Sequence, residues 1–233
     1  MSPHPLESLR YVARAWEVGD EFPAQEVAAV LADLAAETPA TLLPACRRMI
    51  EYFPASGPAW WLSARALASP DSVEGIWEAA EEMAEDTSRS RLAESLPPGA
   101  VVGFGRRTSG LAAALRRRSD ITLLAKPARA ELLVAEALAA GPAAVLVGSR
   151  VAELVESFGR SAKQVWCVLA RGALLPEALW EQVVARSADN AGLVVLNAGS
   201  FGVFVTSAGK LSPEDALSDP GCPPVAELLG WRS

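Results

Sequence analysis

Histidine and cysteine are scarce in this sequence of 233 residues, and their scarcity excludes several kinds of active site. The single histidine, His4, lies near the N-terminus, and the three cysteines, Cys46, Cys167 and Cys222, are far apart with no CxxC pair. Zinc sites and disulfide frameworks need clusters or pairs of these residues. Serine–histidine and cysteine–histidine catalysis needs an internal histidine as the base. The sequence therefore predicts no metal site, no cofactor and no histidine-dependent catalysis.

Long hydrophobic runs are also missing. No apolar stretch reaches the roughly 18 residues that would span a bilayer. Residues 1–5 lack the basic segment and apolar core of a signal peptide. Hydrophobic residues make up 51% of the chain and charged residues 21%, which is typical of a folded protein. These features predict a cytoplasmic protein built as one large domain or two modest ones.

Positive charge is scarce in the first part of the chain. Residues 1–95 hold 7 basic and 16 acidic side chains, a net charge of −9, whereas residues 96–233 hold 14 basic and 12 acidic, a net charge of +2. The overall charge of −7 argues against general nucleic-acid binding, which depends on neutralising phosphates. A local basic excess can attract a small phosphorylated ligand. It consists of Arg106, Arg107, Arg116, Arg117, Arg118, Lys126 and Arg129.

The triple arginine in this set has a second interpretation. Residues 116–118 come where a predicted helix ends, and cations there complement the helix dipole.

Residues 1–95 show helical periodicity almost throughout. Thr38 is predicted to cap the third helix and Ser72 the fifth. Residues 86–98 lose the periodicity and end in two prolines, which predicts a linker or hinge. The predicted helices cover residues 5–17, 24–37, 39–52, 59–68 and 73–85.

One stretch of the helical part resembles a single tetratricopeptide-type helix pair, between residues 50 and 80. Such solenoids need about three stacked repeats, and no period of roughly 34 residues recurs in the chain. Trp60, Trp61 and Trp77 are therefore interpreted as helix packing or interface, with a peptide-binding groove as the alternative.

After residue 96 short apolar runs alternate with helical patterns, which predicts a parallel sheet with both faces covered. Residues 128–140 are predicted as helix, because only about five residues separate the preceding strand from any strand near residue 131, and a parallel crossover needs about a dozen. The strand runs are 100–104, 121–125, 143–147 and 165–170, and the helices 109–118, 149–159 and 176–187.

The last strands and the tail complete the predicted fold. Residues 193–196 and 203–206 are predicted to form an antiparallel hairpin at one edge of the sheet. The tail is expected to wrap the surface, anchored by Leu228, Leu229 and Trp231. The fold class is therefore α/β: a helical N-terminal part over residues 1–95, then a Rossmann-like, mostly parallel sheet domain over residues 96–233 with an antiparallel edge hairpin.

The turn after the first strand is suited to holding an anion. Backbone N–H groups and the positive dipole end at a helix start favour phosphate. The glycines permit close backbone approach, the hydroxyls add donors, and the arginines add charge. A second helix start at the sheet edge adds another donor set. The predicted ligand-binding residues are Gly103, Gly105, Arg106, Arg107, Thr108, Ser109 and Gly110, with Gly148, Ser149 and Arg150 at the second helix start.

The alternative for this turn is purely structural. Thr108 and Ser109 then only cap the helix, and the glycines only make the turn.

Three features together resemble a known family. Helical residues beginning at 4–13 precede an α/β part, the turn at 103–110 ends its first strand, and residues 205–213 resemble a closing "V-T-x-x-G-x-x-x-P" element. This arrangement is similar to the translation initiation factor 2B alpha/beta/delta-like family, which also contains methylthioribose-1-phosphate isomerase and ribose-1,5-bisphosphate isomerase. Within it the chain looks most like a divergent, shortened bacterial branch.

The departures from the family pattern bear on catalysis. The resemblance implies a catalytic cysteine in the turn at 106–110 and a catalytic aspartate in a Gly-Ala-Asp motif, and this sequence has neither. Glu136 is the nearest acidic residue to the second motif. Gly148-Ser149 resembles the family's Gly-Thr, and residues 126–131 stand where the full family domain has a further helix–strand–helix segment.

The resemblance implies a non-catalytic protein that binds a phosphorylated metabolite or nucleotide. It also implies a homodimer through the α/β part, for which the apolar strand at 203–205 would supply an edge. Two other functions stay open: a sugar-phosphate isomerase that uses Glu136, and an interaction module that uses Trp60 and Trp61.

Overall fold

The structure is a computed structural model that describes residues 9–10, 22–105, 109–124, 126–160, 164–190 and 192–231. The predicted helix over residues 5–17 lies largely outside these ranges, although Leu9 and Arg10 are described and are helical. In the part of the chain that the structure describes, no helix is long and apolar enough to cross a membrane.

The front of the described chain is helical, as predicted. Its helices are α1 (Ala24–Glu37), α2 (Leu42–Tyr52), α3 (Gly57–Ala68), α4 (Ser72–Ala84) and α5 (Ser88–Ser95), and a 3-10 turn, Pro39–Thr41, precedes α2. Helix α1 has the bounds that its apolar stripe predicted, because Val27, Leu31 and Leu34 all face the core.

Two predicted helix caps are wrong. Thr38 makes no side-chain cap hydrogen bond. Asp71 caps α4 in place of Ser72: its Oδ1 accepts from the N–H groups of Val73 at 3.0 Å and Glu74 at 3.1 Å. Ser72 is already the first helical residue, so the extended residue before it takes the capping position.

Tryptophans fill the core of the helical part. Trp60 and Trp61 are completely buried, together with Leu31, Met49 and Ile76. The predicted packing role of these two tryptophans is confirmed, and neither indole surface is available to a peptide. Trp77, by contrast, is exposed.

The segment predicted as a linker, residues 86–98, contains helix α5. Its apolar side chains Leu92, Ala93 and Leu96 are buried in one cluster with Val102 of the first strand and Leu111. These three residues give the segment an apolar face, although its composition is mostly polar and its helix is therefore hard to predict. The division of the chain at residue 95 stays a prediction.

The rest of the described chain alternates strands and helices. The strands are β1 (Val101–Phe104), β2 (Thr122–Leu124), β3 (Leu132–Glu136), β4 (Ala139–Ala140), β5 (Ala144–Gly148), β6 (Gln164–Val168), β7 (Leu193–Asn197), β8 (Val203–Thr206) and β9 (Gly209–Leu211). The helices are α6 (Ser109–Arg116), α7 (Ser149–Arg160), α8 (Glu177–Ser187) and α9 (Pro213–Ala216).

The main sheet has six strands in the order β2-β1-β3-β6-β8-β9. Pairing is parallel from β2 through β8, and only β9 runs antiparallel, against β8. The predicted mostly parallel sheet with an antiparallel edge hairpin is therefore confirmed, although the hairpin consists of β8 and β9.

Two strand assignments are wrong. Residues 193–196 do not pair with 203–206, and the run at 143–147 is not part of the parallel sheet. Instead β5 and β7 pair antiparallel in a separate small sheet ordered β4-β5-β7. A 3-10 turn, Ala198–Ser200, follows β7 and carries the chain from one sheet to the other. Strand β8 then lies between β6 and β9, so the predicted dimer edge at 203–205 is an internal strand.

The helix predicted over residues 128–140 is also wrong, because residues 132–136 form β3. All five of its residues are buried, and a continuous apolar run does not distinguish a buried strand from a helix. The few residues between β2 and β3 are enough for a parallel crossover here, because the connection passes directly over β1 at Gly103. A Cβ added at Gly103 would lie 2.6 Å from Cβ of Pro127, so only glycine lets the crossover pass this close.

The two parts share a continuous core. The apolar cluster of the helical part extends into Ala139, Leu146 and the α8 residues Leu179 and Val183. The C-terminal tail packs on the same cluster through Leu228, Leu229 and Trp231, as predicted. The helices are thereby held against the small sheet and beside the carboxyl ends of the main one.

Candidate ligand-binding site

The order of the main sheet creates a switch point between β1 and β3. From β1 the chain moves outward to β2, and from β3 it moves the other way to β6 and β8. Ligands of doubly wound sheets bind at such a point, outside the carboxyl ends of the strands. Here those ends are Phe104 and Gly105 after β1, and Glu136 at the end of β3.

The structure places Gly105 and Gly110 around this switch point. The Gly105 N–H donates to the carbonyl of Val134 at 2.9 Å, and a Cβ there would lie 2.8 Å from a methyl of Val151 on α7. A Cβ on Gly110, in the first turn of α6, would lie 3.1 Å from Nη1 of Arg89. Gly103 differs, because it packs against the crossover at Pro127.

Four of the predicted site residues have no described side chain. Arg106, Arg107 and Thr108 lie outside the described residues, and of Ser109 only the backbone, as the first residue of α6, is described. Their predicted role in holding a ligand stays a prediction.

The second predicted donor set lies at the start of α7. Gly148 ends β5 and lines the cavity described below. The N–H of Ser149 donates to the carbonyl of Gly192 at 2.8 Å, so this donor is already used, and Arg150 is exposed. Of this set, Gly148 is the residue that the structure brings to the cavity.

A buried ion pair forms the floor of the site. Arg89 of α5 donates to Oε1 of Glu136 twice, from Nε at 3.0 Å and from Nη2 at 2.8 Å. The Glu136 side chain is only 7% exposed. Its second oxygen, Oε2, is buried and has no hydrogen-bond partner within the described structure. A buried carboxylate oxygen without a donor is rare, because leaving it unpaired is unfavourable.

A cavity of about 840 Å³ lies over this ion pair, between the helical part and the carboxyl ends of the strands. The helical part contributes the start of α1, the end of α2 and the inner side of α4. The α/β part contributes Glu136, Ala137 and Leu138 after β3, Gly148 after β5, and the loop at 170–173 after β6. The volume is ample for a small metabolite.

Aromatic side chains form part of the cavity wall on the helical side. Phe22 and Phe53 meet edge to face, with ring centroids 5.3 Å apart, and Tyr52 lies beside them on the cavity lining. The site therefore offers an apolar wall opposite a charged floor.

A second arginine–glutamate cluster forms the wall of the cavity at the loop after β6, to which it contributes Arg171. Glu82 of α4 accepts from Arg65 through Oε1 at 2.9 Å and from Arg171 through Oε2. Both guanidinium groups also lie over the Trp61 ring, at 5.3 Å and 5.4 Å from its centroid. Because Arg171 belongs to the loop after β6, this cluster ties that loop to the helical part.

The three cysteines do not contribute a thiol to the cavity lining. All are buried, and burial raises the pKa of Cys46 and of Cys222 to about 12. The pKa of Cys167 is raised by burial and secondarily by the nearby charge of Glu136. These thiols are core packing groups.

Sequence reasoning missed most of this site. Of the predicted residues, Gly148 lines the cavity, whereas the described residues of the turn at 103–110 do not. Glu136 matches a family motif only loosely. Arg89 gave no sequence signal, because it lies in a segment predicted as a linker. Its two-residue spacing from Arg91 in a polar stretch looks like ordinary surface.

No protein-family model matches the sequence, and no curated protein matches it. Solved structures do match the fold. The tetrameric eIF2B-beta2-delta2 complex from C. thermophilum contains a chain 16% identical, with a TM-score of 0.71 over 91% of this chain and 92% of that one. The translation initiation factor eIF-2B of Pyrococcus horikoshii OT3 is 13% identical, with a TM-score of 0.72 over 93% of this chain and 100% of that one.

An enzyme shares the same architecture. The 5-methylthioribose 1-phosphate isomerase from Pyrococcus horikoshii OT3 is 14% identical, with a TM-score of 0.55 over 92% of this chain and 86% of that one. At such identities the likeness establishes the fold alone. The fold that the sequence resemblance implied is confirmed: this chain has the architecture shared by eIF2B subunits and a methylthioribose 1-phosphate isomerase.

Proposed function

We propose that this protein binds a phosphorylated metabolite or nucleotide in the cavity over the Arg89–Glu136 pair. The observation that carries the proposal is the Oε2 atom of Glu136, a buried acceptor with no partner within the described residues, on a side chain that lines about 840 Å³ of space. An unpaired buried acceptor is unfavourable by about 1–3 kcal/mol. A hydroxyl or amine of a bound ligand supplies the donor that the described residues do not.

The phosphate is expected at the start of α6. This helix follows β1 at the switch point, so its positive dipole end is directed toward the carboxyl edge of the sheet. Gly110 supports this placement because a Cβ there would lie 3.1 Å from Nη1 of Arg89, which lines the cavity, and Gly105 is expected to shape the turn before α6. We expect Arg106, Arg107, Thr108 and Ser109 to complete the phosphate contacts, with Gly103 shaping the strand.

The start of α7 is expected to contribute less. Gly148 lines the cavity, while the Ser149 N–H is already bonded to Gly192. Ser149 and Arg150 therefore enter the proposal as side-chain donors at the rim.

A thermal-shift screen of phosphorylated metabolites tests this proposal, because a ligand that binds only the folded state raises the unfolding midpoint. We expect one class of compound to raise it, and Arg107→Ala or Glu136→Gln to remove the shift. Glu82→Gln is the matched control, since Glu82 pairs with arginines beside the cavity but has both oxygens occupied. A screen with no shift for any phosphorylated compound contradicts the proposal.

We further propose that the protein acts through self-association in the cytoplasm and without turnover. The likeness to a subunit of a tetrameric complex supports self-association. Strand β7 offers an edge for it, since among the described strands it pairs with β5 alone, and its Val195 is 43% exposed. Sedimentation tests this: a monomer at micromolar concentration removes the idea.

One observation favours a catalytic alternative. Glu136 lies at the carboxyl end of β3, where doubly wound enzymes place reacting groups, and an unpartnered carboxylate oxygen can take up a proton. A sugar-phosphate isomerase would use Glu136 as its acid–base group. Turnover of pentose or methylthioribose phosphates, lost in Glu136→Gln, supports the enzyme, and no turnover across these compounds rejects it.

A further inference from the structure

The charges that line the cavity do not balance. Acidic lining residues are Glu26, Glu51, Asp86 and Glu136, and basic ones are Arg89 and Arg171. Glu51 pairs with Arg48 at 2.6 Å, Arg171 with Glu82, and Arg89 with Glu136. Among the described residues, Glu26 and Asp86 make no ion pair with a cation. The described part of the cavity therefore carries an excess of negative charge.

Asp86 contributes to this excess and lines the same cavity as Arg89 and Glu136. It precedes α5, three residues before Arg89, and its carboxylate accepts from the N–H and hydroxyl of Ser88 at 3.1 Å and 2.6 Å. These neutral donors hold the carboxylate in place without cancelling its charge. Arg89, Glu136 and Asp86 together sum to one negative charge, with Oε2 of Glu136 lacking a donor.

We propose that the ligand of this cavity carries a positively charged amine as well as a phosphate, as in an amino-sugar phosphate, and that Oε2 of Glu136 accepts its N–H. This inference rests on the proposed function and deepens it. A hydroxyl would satisfy the hydrogen bond but leave the negative charge uncompensated. An ammonium satisfies both, because it donates the hydrogen bond and also brings an opposite charge close to the carboxylate.

The arrangement also suits a ligand with separated charges. The anionic group lies at the positive end of α6, and the ammonium lies at the acidic floor formed by Glu136 and Asp86. The guanidinium of Arg89 bonds to Glu136 and also lies near the first turn of α6, where a Cβ on Gly110 would be 3.1 Å from its Nη1. A ligand bound the other way round would place its phosphate against two carboxylates.

Isothermal titration of the full chain with matched compounds tests the inference. The pairs are glucosamine 6-phosphate with glucose 6-phosphate, and phosphoethanolamine with 2-hydroxyethyl phosphate, in which an amine replaces a hydroxyl. N-acetylglucosamine 6-phosphate is a neutral-amide control. We expect the amine to bind about tenfold or more tightly than its hydroxyl partner, the size of one charged hydrogen bond.

The variants locate the effect. Glu136→Gln should bring the two members of a pair to nearly equal affinity, and the more exposed Asp86→Asn should reduce the ratio while folding normally. Glu82→Gln should leave the ratio unchanged. Equal or weaker binding of the amines overturns the inference while the proposed function stands. Binding of other phosphorylated compounds but of neither amine has the same result. No binding by any phosphorylated compound overturns both.

Discussion

Two arginine–glutamate clusters flank the same cavity, and they differ in how completely the glutamate is used. Glu82 on the wall gives one oxygen to Arg65 and the other to Arg171, and its side chain is 31% exposed. Glu136 on the floor gives one oxygen to Arg89, keeps the other unpaired, and is 7% exposed. Both carboxylate oxygens of Glu82 therefore accept hydrogen bonds, whereas Oε2 of Glu136 has no donor among the described residues.

The difference fits a structural role for Glu82 and the binding role that we propose for Glu136. A pair that joins two parts of a fold gains most when every oxygen is bonded, as at Glu82. A buried unpaired oxygen is unfavourable, and a donor from a bound ligand would remove that cost. A third pair, Arg118 with Asp120, is the most exposed of these three pairs, since the Asp120 side chain is 45% exposed.

Arg89→Met tests the floor and should have the greatest effect on stability. The substitution leaves the buried Glu136 carboxylate without its guanidinium, and breaking a buried pair in this way costs about 3–5 kcal/mol. Urea unfolding followed by circular dichroism measures the change. The double variant Arg89→Met with Glu136→Gln removes the orphaned charge and should recover part of the loss. A loss below about 1 kcal/mol for Arg89→Met would mean that the pair is not buried as described.

Gly103→Ala tests whether the floor depends on the close crossover that positions β3. The new Cβ would lie 2.6 Å from Cβ and 2.9 Å from Cα of Pro127, so the connection must move. Overpacking of this kind costs about 1–3 kcal/mol.

Gly159→Ala is the control for that substitution. Gly159 lies within α7, and a Cβ there meets no atom within 4 Å, so we expect a gain of up to about 1 kcal/mol from helix propensity. Equal behaviour of the two variants in urea unfolding would show that the crossover does not pack on Gly103.

Glu82→Gln tests the wall and should change stability less than either floor variant. Half-exposed ion pairs contribute about 0–1 kcal/mol each, because water screens them. We expect a loss within that range, measured by thermal unfolding, together with a weaker tie between the 170–173 loop and α4. A loss of stability as large as that of Arg89→Met would show that the Glu82 pair and the Glu136 pair contribute equally to stability.

Arg118→Gln tests the surface pair, and its readout is the pKa of Asp120 rather than stability, because the Arg118 guanidinium also donates to the carbonyls of Ala93 and Leu96. The hydrogen bond from Arg118 lowers the pKa of Asp120 below its ordinary value. A lowered folded-state pKa stabilises the protein above the unfolded pKa, and this contribution is lost as the pH falls through the folded pKa. The variant should return the Asp120 pKa toward its ordinary value in an NMR titration. An unchanged pKa would contradict the contact.

Periodicity and composition predicted most of the fold. Helix α1 and the parallel sheet with an antiparallel edge followed from residue patterns alone. Strand β3 did not, because a fully buried strand has no alternation and its short approach depends on one glycine, Gly103, packed under Pro127. Strands β5 and β7 lie in a second sheet because of tertiary packing, which the local sequence does not determine.

The site was predictable only in outline. The glycine-rich turn after β1 and Gly148 were predictable as strand ends, since strand ends are visible in sequence, and Gly148 lines the cavity. The Arg89–Glu136 pair joins residues 47 positions apart, and the cavity needs the end of α2 and the start of α1 as well. Contacts at such separations depend on the packing of the two parts, which no local pattern encodes.

The most direct test of the central claim is the ligand-induced rise of the unfolding midpoint, measured side by side for the wild-type chain, Glu136→Gln and Glu82→Gln with the same phosphorylated compound. We predict that the rise is lost in Glu136→Gln and kept in Glu82→Gln, because only Glu136 has an oxygen left for the ligand. An equal rise in all three proteins would contradict the account.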